Sequence, residues 1–174
     1  ERRHTIKQVD RLLSNSGLDL AQIFALWVPY VLAQRDEIYV NFDWTDFEGS
    51  DQTMIVLGTQ TQHGRATPLL WKTVQKSTLK GKRNDYEDEL LWQFKSCVPS
   101  GIQVTVVADR GFTDTKFFDF IKQDLGFEYL IRIRSNIEVE DKKGIAKTAQ
   151  EWLGEDGNIK LIKNAKITAL GYQV

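Results

Sequence analysis

The stretch VVADRGF, residues 106–112, is a short apolar run that ends on an acid–base pair, Asp109 and Arg110. Such a run, preceded by IQVT, is typical of a buried β-strand. Two interpretations of the aspartate are open. It caps the turn before the next helix, which is the more common role of a lone aspartate at a strand end, or its carboxylate lies at the rim of a buried sheet and holds a metal ion. A second carboxylate beside it would favour the metal site.

The segments around this stretch alternate between strand and helix patterns. Segments 37–47, 53–62 and 66–74 are rich in β-forming residues and are joined by short links, which predicts three antiparallel strands. Hydrophobic periodicity then predicts a helix at 84–98, a strand at 102–109, a helix at 113–126 and a strand at 127–134. The first of these helices is expected to be capped by Asn84 or Asp85, and the second by Thr113 or Asp114. Helical spacing also covers residues 6–33, with a break at 14–17. In the tail, GIAKTAQEWL (144–153) predicts a short helix and residues 158–174 resemble a β-hairpin.

The resulting order, β-β-β-α-β-α-β, predicts an α/β fold with a ribonuclease-H-like, mixed five-stranded sheet flanked by helices. A strand–helix–strand unit requires parallel pairing through a right-handed crossover. In this layout the first and fourth strands are neighbours in the centre of the sheet. Pro68 predicts an edge position for the third strand, because proline donates no hydrogen bond to a neighbouring strand.

A second carboxylate, Asp43, lies within the first strand, in NFDWT. That strand has the composition of one that is apolar on both faces, where a charge is costly unless it is paired or coordinated. The predicted layout brings Asp43 near Asp109. Two adjacent carboxylates repel each other until a divalent cation neutralises them, so the sequence predicts a site for Mg²⁺ or Mn²⁺. Asp46 and Asp51 are rivals for the first position.

Composition excludes several other classes of site. The chain of 174 residues has one cysteine, which excludes a disulfide framework and a multi-cysteine zinc site. Its two histidines form no credible nucleophilic triad, and no phosphate-binding glycine motif occurs. No stretch approaches the roughly 18 apolar residues of a membrane span. The single cysteine, Cys97, is interpreted as a core residue of a cytosolic protein, so a cytoplasmic location is expected. The net charge of −1 argues against a strongly nucleic-acid-binding surface overall.

The segments IYVNFDWTDF and VVADRGFTD…FEYLIRIRSN resemble the first and second acidic motifs of the DDE transposases of bacterial insertion sequences. The closest subgroup is the cut-and-paste one, which carries a β-rich insertion after the fifth strand. The resemblance implies that Asp43 and Asp109 are two members of a metal-binding catalytic triad. It also implies two-metal phosphoryl transfer, in which DNA strands are cleaved and joined at transposon ends. Three domains follow: a helical lead-in (1–35), the catalytic core (36–135) and the start of the insertion domain (136–174).

The resemblance further implies double-stranded DNA as the partner, in a complex that a homodimer could form, and association with the bacterial nucleoid when DNA is bound. Its predicted DNA contacts are Arg110, Arg132 and Arg134. A basic segment offers further contacts at Lys80, Lys82 and Arg83, although such a run is more often a solvated face.

One feature of the family pattern is missing. Its third acid is a glutamate within a tyrosine–arginine–glutamate–lysine signature, and nothing like it occurs before Val174. If the sequence is a piece of a longer transposase, the piece alone is expected to be inactive. Alternatively, Glu87 or Glu89 completes a ribonuclease-H-type nuclease site, or the chain is a non-catalytic scaffold that docks DNA or a partner.

Overall fold

The computed structural model describes residues 2–33, 35–61, 64–153, 158, 160–167 and 172–173. Its main sheet has five strands, β1 (Glu37–Asp46), β2 (Gln52–Gln60), β3 (Ala66–Gln75), β4 (Gln103–Ala108) and β5 (Glu128–Ile131). The helices before and between them are α1 (Arg2–Leu13), α2 (Leu20–Leu32), α3 (Arg83–Cys97) and α4 (Thr115–Asp119), which continues as a π-helical turn over Phe120–Asp124.

The strand order is β3-β2-β1-β4-β5. The three N-terminal strands form an antiparallel meander, and β4 and β5 are added in parallel. This confirms the predicted mixed five-stranded α/β sheet and is consistent with the ribonuclease-H-like fold. β1 and β4 are central neighbours, as expected. Pro68 lies on edge strand β3, opposite Gly58 where the β2–β3 register shifts, because a proline at an edge breaks no ladder.

One face of the central strands carries the core. Ile38, Val40 and Phe42 of β1 pair with apolar residues of β4 and are almost fully buried. The helix α3, and α4 with its π-helical continuation, contribute large buried side chains to this core, among them Leu90, Leu91, Phe94, Phe117, Phe118 and Ile121. Burying one such side chain is worth about 1.5–3 kcal/mol. The core therefore lies between this face of the sheet and the two helices.

The opposite face of β1 differs from the prediction. Burial alternates along the strand, and Glu37, Tyr39, Asp43 and Thr45 are exposed. The expectation that β1 is apolar on both faces is therefore wrong. A central position fixes only which backbone edges are paired, whereas the faces are buried by other elements. Here the face that carries Asp43 is exposed along much of β1.

The helix starts agree with the sequence only in part. Asp114 caps α4 by accepting a hydrogen bond from the amide of Lys116, as predicted. By contrast, α3 begins at Arg83 without a side-chain cap, so the expected cap at Asn84 or Asp85 is wrong. Arg83 forms an i,i+4 ion pair with Glu87, and such a pair favours extension of the helix towards its N-terminus.

The N-terminal region forms two helices separated at the predicted break. Asp19 caps α2 by accepting from the amide of Gln22 at 3.1 Å. This helix buries Phe24, Val28 and Leu32, and the indole of Trp27 donates to the carbonyl of Pro68 on β3. Among the described residues, no helix has the length and apolar character needed to cross a membrane.

A second, smaller sheet follows the first. Its strands are β6 (Glu138–Glu140), β7 (Ala146–Thr148), β8 (Lys166–Ile167) and β9 (Tyr172–Gln173), in the order β7-β6-β8-β9, and the short helix α5 spans Ala149–Leu153. The sequence predicted a longer helix here, but its first part forms β7. The antiparallel pair β8–β9 lies within the predicted hairpin, of which residues 159, 168–171 and 174 are outside the described part. The predicted domain boundaries remain predictions.

Candidate active site

The two candidate aspartates lie at the same end of neighbouring strands. In the parallel ladder of β1 and β4 the last pair is Phe42 with Ala108, so the next residues along the two strands are Asp43 and Asp109. Adjacent strands are about 4.8 Å apart, and alternation turns both side chains away from the buried face. Both are exposed. The register thus places Asp43 and Asp109 side by side in sequence position, at the ends of two neighbouring strands.

Arg132 extends the same row. Ala108 also pairs with Ile131 of β5, and the amide of the next residue, Arg132, donates to the carbonyl of Ala108 at 3.1 Å. The row across three strand ends is therefore Asp43, Asp109 and Arg132. Arg132 is exposed, as is Arg134 two residues later. A cationic side chain beside two carboxylates is suited to bind a phosphate near a metal ion.

Asp109 does cap the following turn. Its backbone is extended, and its Oδ1 accepts a hydrogen bond of 2.7 Å from the amide of Gly111 within the 3₁₀ turn Arg110–Phe112. The ring of Phe112 anchors this turn, with its centroid 5.0 Å from that of Phe42 and 5.6 Å from that of Phe117. Capping leaves most of the lone pairs of the carboxylate available. The two sequence interpretations of Asp109 are therefore compatible.

Asp43 sits in a different environment from the predicted one. Its carboxylate is exposed, so the expectation of a costly buried charge is wrong. Its Oδ1 accepts from the amide of Trp44 at 2.8 Å, which fixes the side chain locally. Neither Asp43 nor Asp109 has a salt-bridge partner among the described residues. Two unpaired carboxylates on adjacent strands repel each other in the absence of a cation.

The rival acids have other partners. Asp46 forms an ion pair of 3.6 Å with Lys76, and a hydrogen bond from Thr53 and the nearby cations hold its pKa below the ordinary value. Asp51 accepts from both the amide and the hydroxyl of Ser77, at 3.1 and 2.6 Å. Both residues therefore tie the β1–β2 connection to the segment that follows β3.

Glu87 has a role that the sequence reasoning missed. It is only 7% exposed, accepts a hydrogen bond of 2.7 Å from the indole of Trp44, and lies 3.3 Å from Arg83. Arg83 in turn covers the Trp44 ring at 5.0 Å. Burial raises the pKa of Glu87 despite these favourable contacts. Helical periodicity was an available signal, because Glu87 falls on the stripe of Leu90, Leu91 and Phe94.

These contacts do not support a ribonuclease-H-type site. Trp44 follows Asp43 on β1 and points to the opposite, covered face of the sheet. Its partner Glu87 is therefore on the side of the sheet away from Asp43. Glu89 is paired with Lys72 at 2.5 Å on that same side. Within the described part of the chain, no group of three or more histidine, cysteine, aspartate or glutamate residues is arranged to hold a metal ion.

The predicted DNA contacts differ in how available they are. Arg110 is exposed in the turn after Asp109, and Lys80 and Lys82 are exposed in the basic segment. Arg83 is already engaged by Glu87 and by the Trp44 ring. Arg83 is therefore less available for a DNA contact than Lys80 and Lys82.

One protein-family model matches the chain from β2 onwards. The model of the transposase DDE domain matches residues 57–171, which is more than half of the chain. The chain belongs to the DDE transposase family. Transposases act on DNA, and this family normally uses a divalent metal ion. The match includes Asp109 and Arg132 but begins after Asp43, whose assignment rests on the β1–β4 register. Comparisons with curated proteins and with solved structures give no match.

Proposed function

We propose that this chain is the catalytic core of an insertion-sequence transposase of the cut-and-paste subgroup, in which Asp43 and Asp109 bind Mg²⁺ or Mn²⁺. The reaction is phosphoryl transfer on double-stranded DNA, with cleavage and joining of strands at the transposon ends. The observation that carries the proposal is the parallel register of β1 and β4, which supports a shared site for the two carboxylates. Family membership supports the reaction class.

The donor atoms fit the proposed metal ion. Mg²⁺ prefers oxygen ligands, is commonly bound by one or two carboxylates and keeps several waters. Asp43 and Asp109 supply exposed carboxylates without cationic partners among the described residues. When bound, the metal ions neutralise charge at the phosphoryl group and promote in-line displacement. The role of the two aspartates is to hold them at the rim of the sheet.

The basic residues around the site would position the DNA. Arg132 is next to Asp109 in the row of strand ends, and Arg110 follows Asp109 in the chain. A guanidinium binds phosphate oxygens through two parallel hydrogen bonds. Arg134 continues along the same extended segment. Lys80 and Lys82 would add contacts that are independent of sequence. We propose that the complete assembly is a homodimer on DNA.

In this proposal the 174-residue chain carries only part of an active site. Two carboxylates bind Mg²⁺ weakly, and we propose that a third acidic ligand comes from outside the described residues. The small sheet within 136–174 would be the start of a β-rich insertion domain. We therefore expect no Mg²⁺-dependent nicking of DNA by this chain alone. Robust nicking would contradict the proposed division of ligands.

The direct test is substitution of each aspartate in the full-length transposase. Asp43→Asn and Asp109→Asn are each expected to abolish strand cleavage while leaving the fold intact, because an amide cannot replace the charge that binds the metal. Asp46→Asn is the matched control, since this residue is on the same strand, is exposed and is paired with Lys76. Near-normal cleavage by either of the first two variants would refute the assignment.

A further inference from the structure

Gly111 is in unusually close contact with the carboxylate of Asp109. Its amide donates the 2.7 Å hydrogen bond to Oδ1, and a Cβ atom added at Gly111 would lie 2.9 Å from that same oxygen. Contacts of this kind are shorter than carbon and oxygen tolerate, so a larger residue here requires one of the two groups to move. Only atoms of Asp109 lie within 4 Å of the added Cβ among those compared.

The backbone itself does not require glycine at this position. Gly111 does not have the positive φ that characterises Gly49, Gly64, Gly81, Gly101, Gly126 and Gly144. An L-amino acid can therefore adopt the local conformation without the strain expected at those positions. What a side chain at Gly111 would displace is the Asp109 carboxylate.

Thr113 holds the same turn from its other end. Its hydroxyl is within hydrogen-bonding distance of the carbonyl of Arg110, at 3.0 Å, and of the carbonyl of Arg132, at 3.3 Å. The turn that follows Asp109 is thereby tied to the extension of β5. The Thr113 hydroxyl thus connects the backbone of the turn after Asp109 with the backbone of Arg132.

We propose that Gly111 and Thr113 are positioning residues that fix the orientation of the Asp109 carboxylate. They thereby determine the affinity of the Asp43–Asp109 site for a divalent cation. This inference rests on the proposed function. Gly111 fixes one carboxylate oxygen by its amide and leaves room for it by its missing side chain. Thr113 keeps the turn in register with β5. Partners that orient a metal ligand typically change metal affinity 10–100-fold when they are removed.

The test is a Mn²⁺ titration of the 174-residue chain, followed by paramagnetic broadening of the side-chain carboxylate resonances of Asp43 and Asp109. Gly111→Ala is expected to weaken binding about tenfold with little change in thermal stability, because only a side chain has to shift. Thr113→Val should weaken binding less, and Thr113→Ser should restore it. Gly144→Ala is the control: it imposes backbone strain far from the site and should lower stability without changing Mn²⁺ affinity.

A second readout does not depend on metal. Hydrogen exchange of the residue-111 amide should be slow in the unaltered chain and in Asp43→Asn, and faster in Asp109→Ala, which removes its acceptor. Unchanged Mn²⁺ affinity in Gly111→Ala, or unchanged exchange in Asp109→Ala, would overturn the positioning role while leaving the proposed function standing. If the unaltered chain shows no broadening at either aspartate, the proposed metal site fails, and the inference fails with it.

Discussion

The two faces of the main sheet contrast most clearly at Asp43 and Trp44, which are consecutive in β1. Trp44 points to the covered face, where its indole binds the buried Glu87 and its ring lies under Arg83. Asp43 points to the exposed face, where its carboxylate has no salt-bridge partner among the described residues. The covered face holds the fold together, and the exposed face holds the proposed chemistry. The two properties can therefore be changed separately.

The largest expected effect is a loss of stability when a buried ring on the covered face is removed. Phe42→Ala should lower the free energy of unfolding by about 3–5 kcal/mol, because the ring is fully buried, stacks on Phe117 and packs at a tilt against Phe112. Asp43→Asn, one residue away, should change stability by no more than about 0.5 kcal/mol. Urea denaturation of both variants measures the difference. Similar losses for the two variants would mean that the faces are not independent.

A smaller effect is expected from the buried carboxylate of Glu87, through the dependence of stability on pH. Burial raises the pKa of Glu87 above its ordinary value, so in this respect the folded chain holds the proton more tightly than the unfolded chain. The stability that this contributes is fully present below the ordinary pKa of glutamate and is lost as the pH rises through the raised value. Glu87→Gln keeps an acceptor for Trp44 and removes the titration. Its stability should therefore fall less than that of the unaltered chain between pH 4 and neutrality.

The urea midpoint measured at several pH values gives this result directly. Asp88 needs its own control, because burial raises its pKa too, and repulsion from Asp85, Asp114 and Asp124 adds to the shift. Asp88→Asn should also reduce the loss of stability with rising pH, independently of Glu87. A Glu87→Gln profile that is parallel to that of the unaltered chain would show that Glu87 does not titrate differently in the folded state.

The contrast between the faces also marks what the sequence could predict. The change from strand to helix periodicity was sufficient to order the five strands, and that order made Asp43 and Asp109 neighbours. Sequence composition could not show that β1 has an exposed face, because residues such as Tyr39 count as apolar wherever they lie. Burial of a face depends on which helices pack on it, and this information is spread over the whole chain.

The details of the site were the least accessible part. The pattern ADRGF indicated a capped turn after a strand, and the cap is present. That Gly111 leaves room for the very carboxylate it binds depends on distances of a few tenths of an ångström, which no pattern of residue types encodes. Glu87 was considered as a catalytic acid because it lies on the first helix of the core, as the helix glutamate of ribonucleases H does. Its position on the apolar stripe of α3 was the better guide.

The smallest expected effect concerns the basic segment, which belongs to neither face of the central strands. Lys80 and Lys82 are exposed and appear in none of the salt bridges of the described residues, whereas Lys72 is paired with Glu89. If the segment contacts phosphates, each of Lys80→Ala and Lys82→Ala should reduce the slope of log affinity against log salt by about one for duplex DNA. Lys72→Ala is the paired control and should leave the slope unchanged. Equal slopes for all three variants would assign the segment to the solvated surface and leave DNA binding to the arginines beside Asp109.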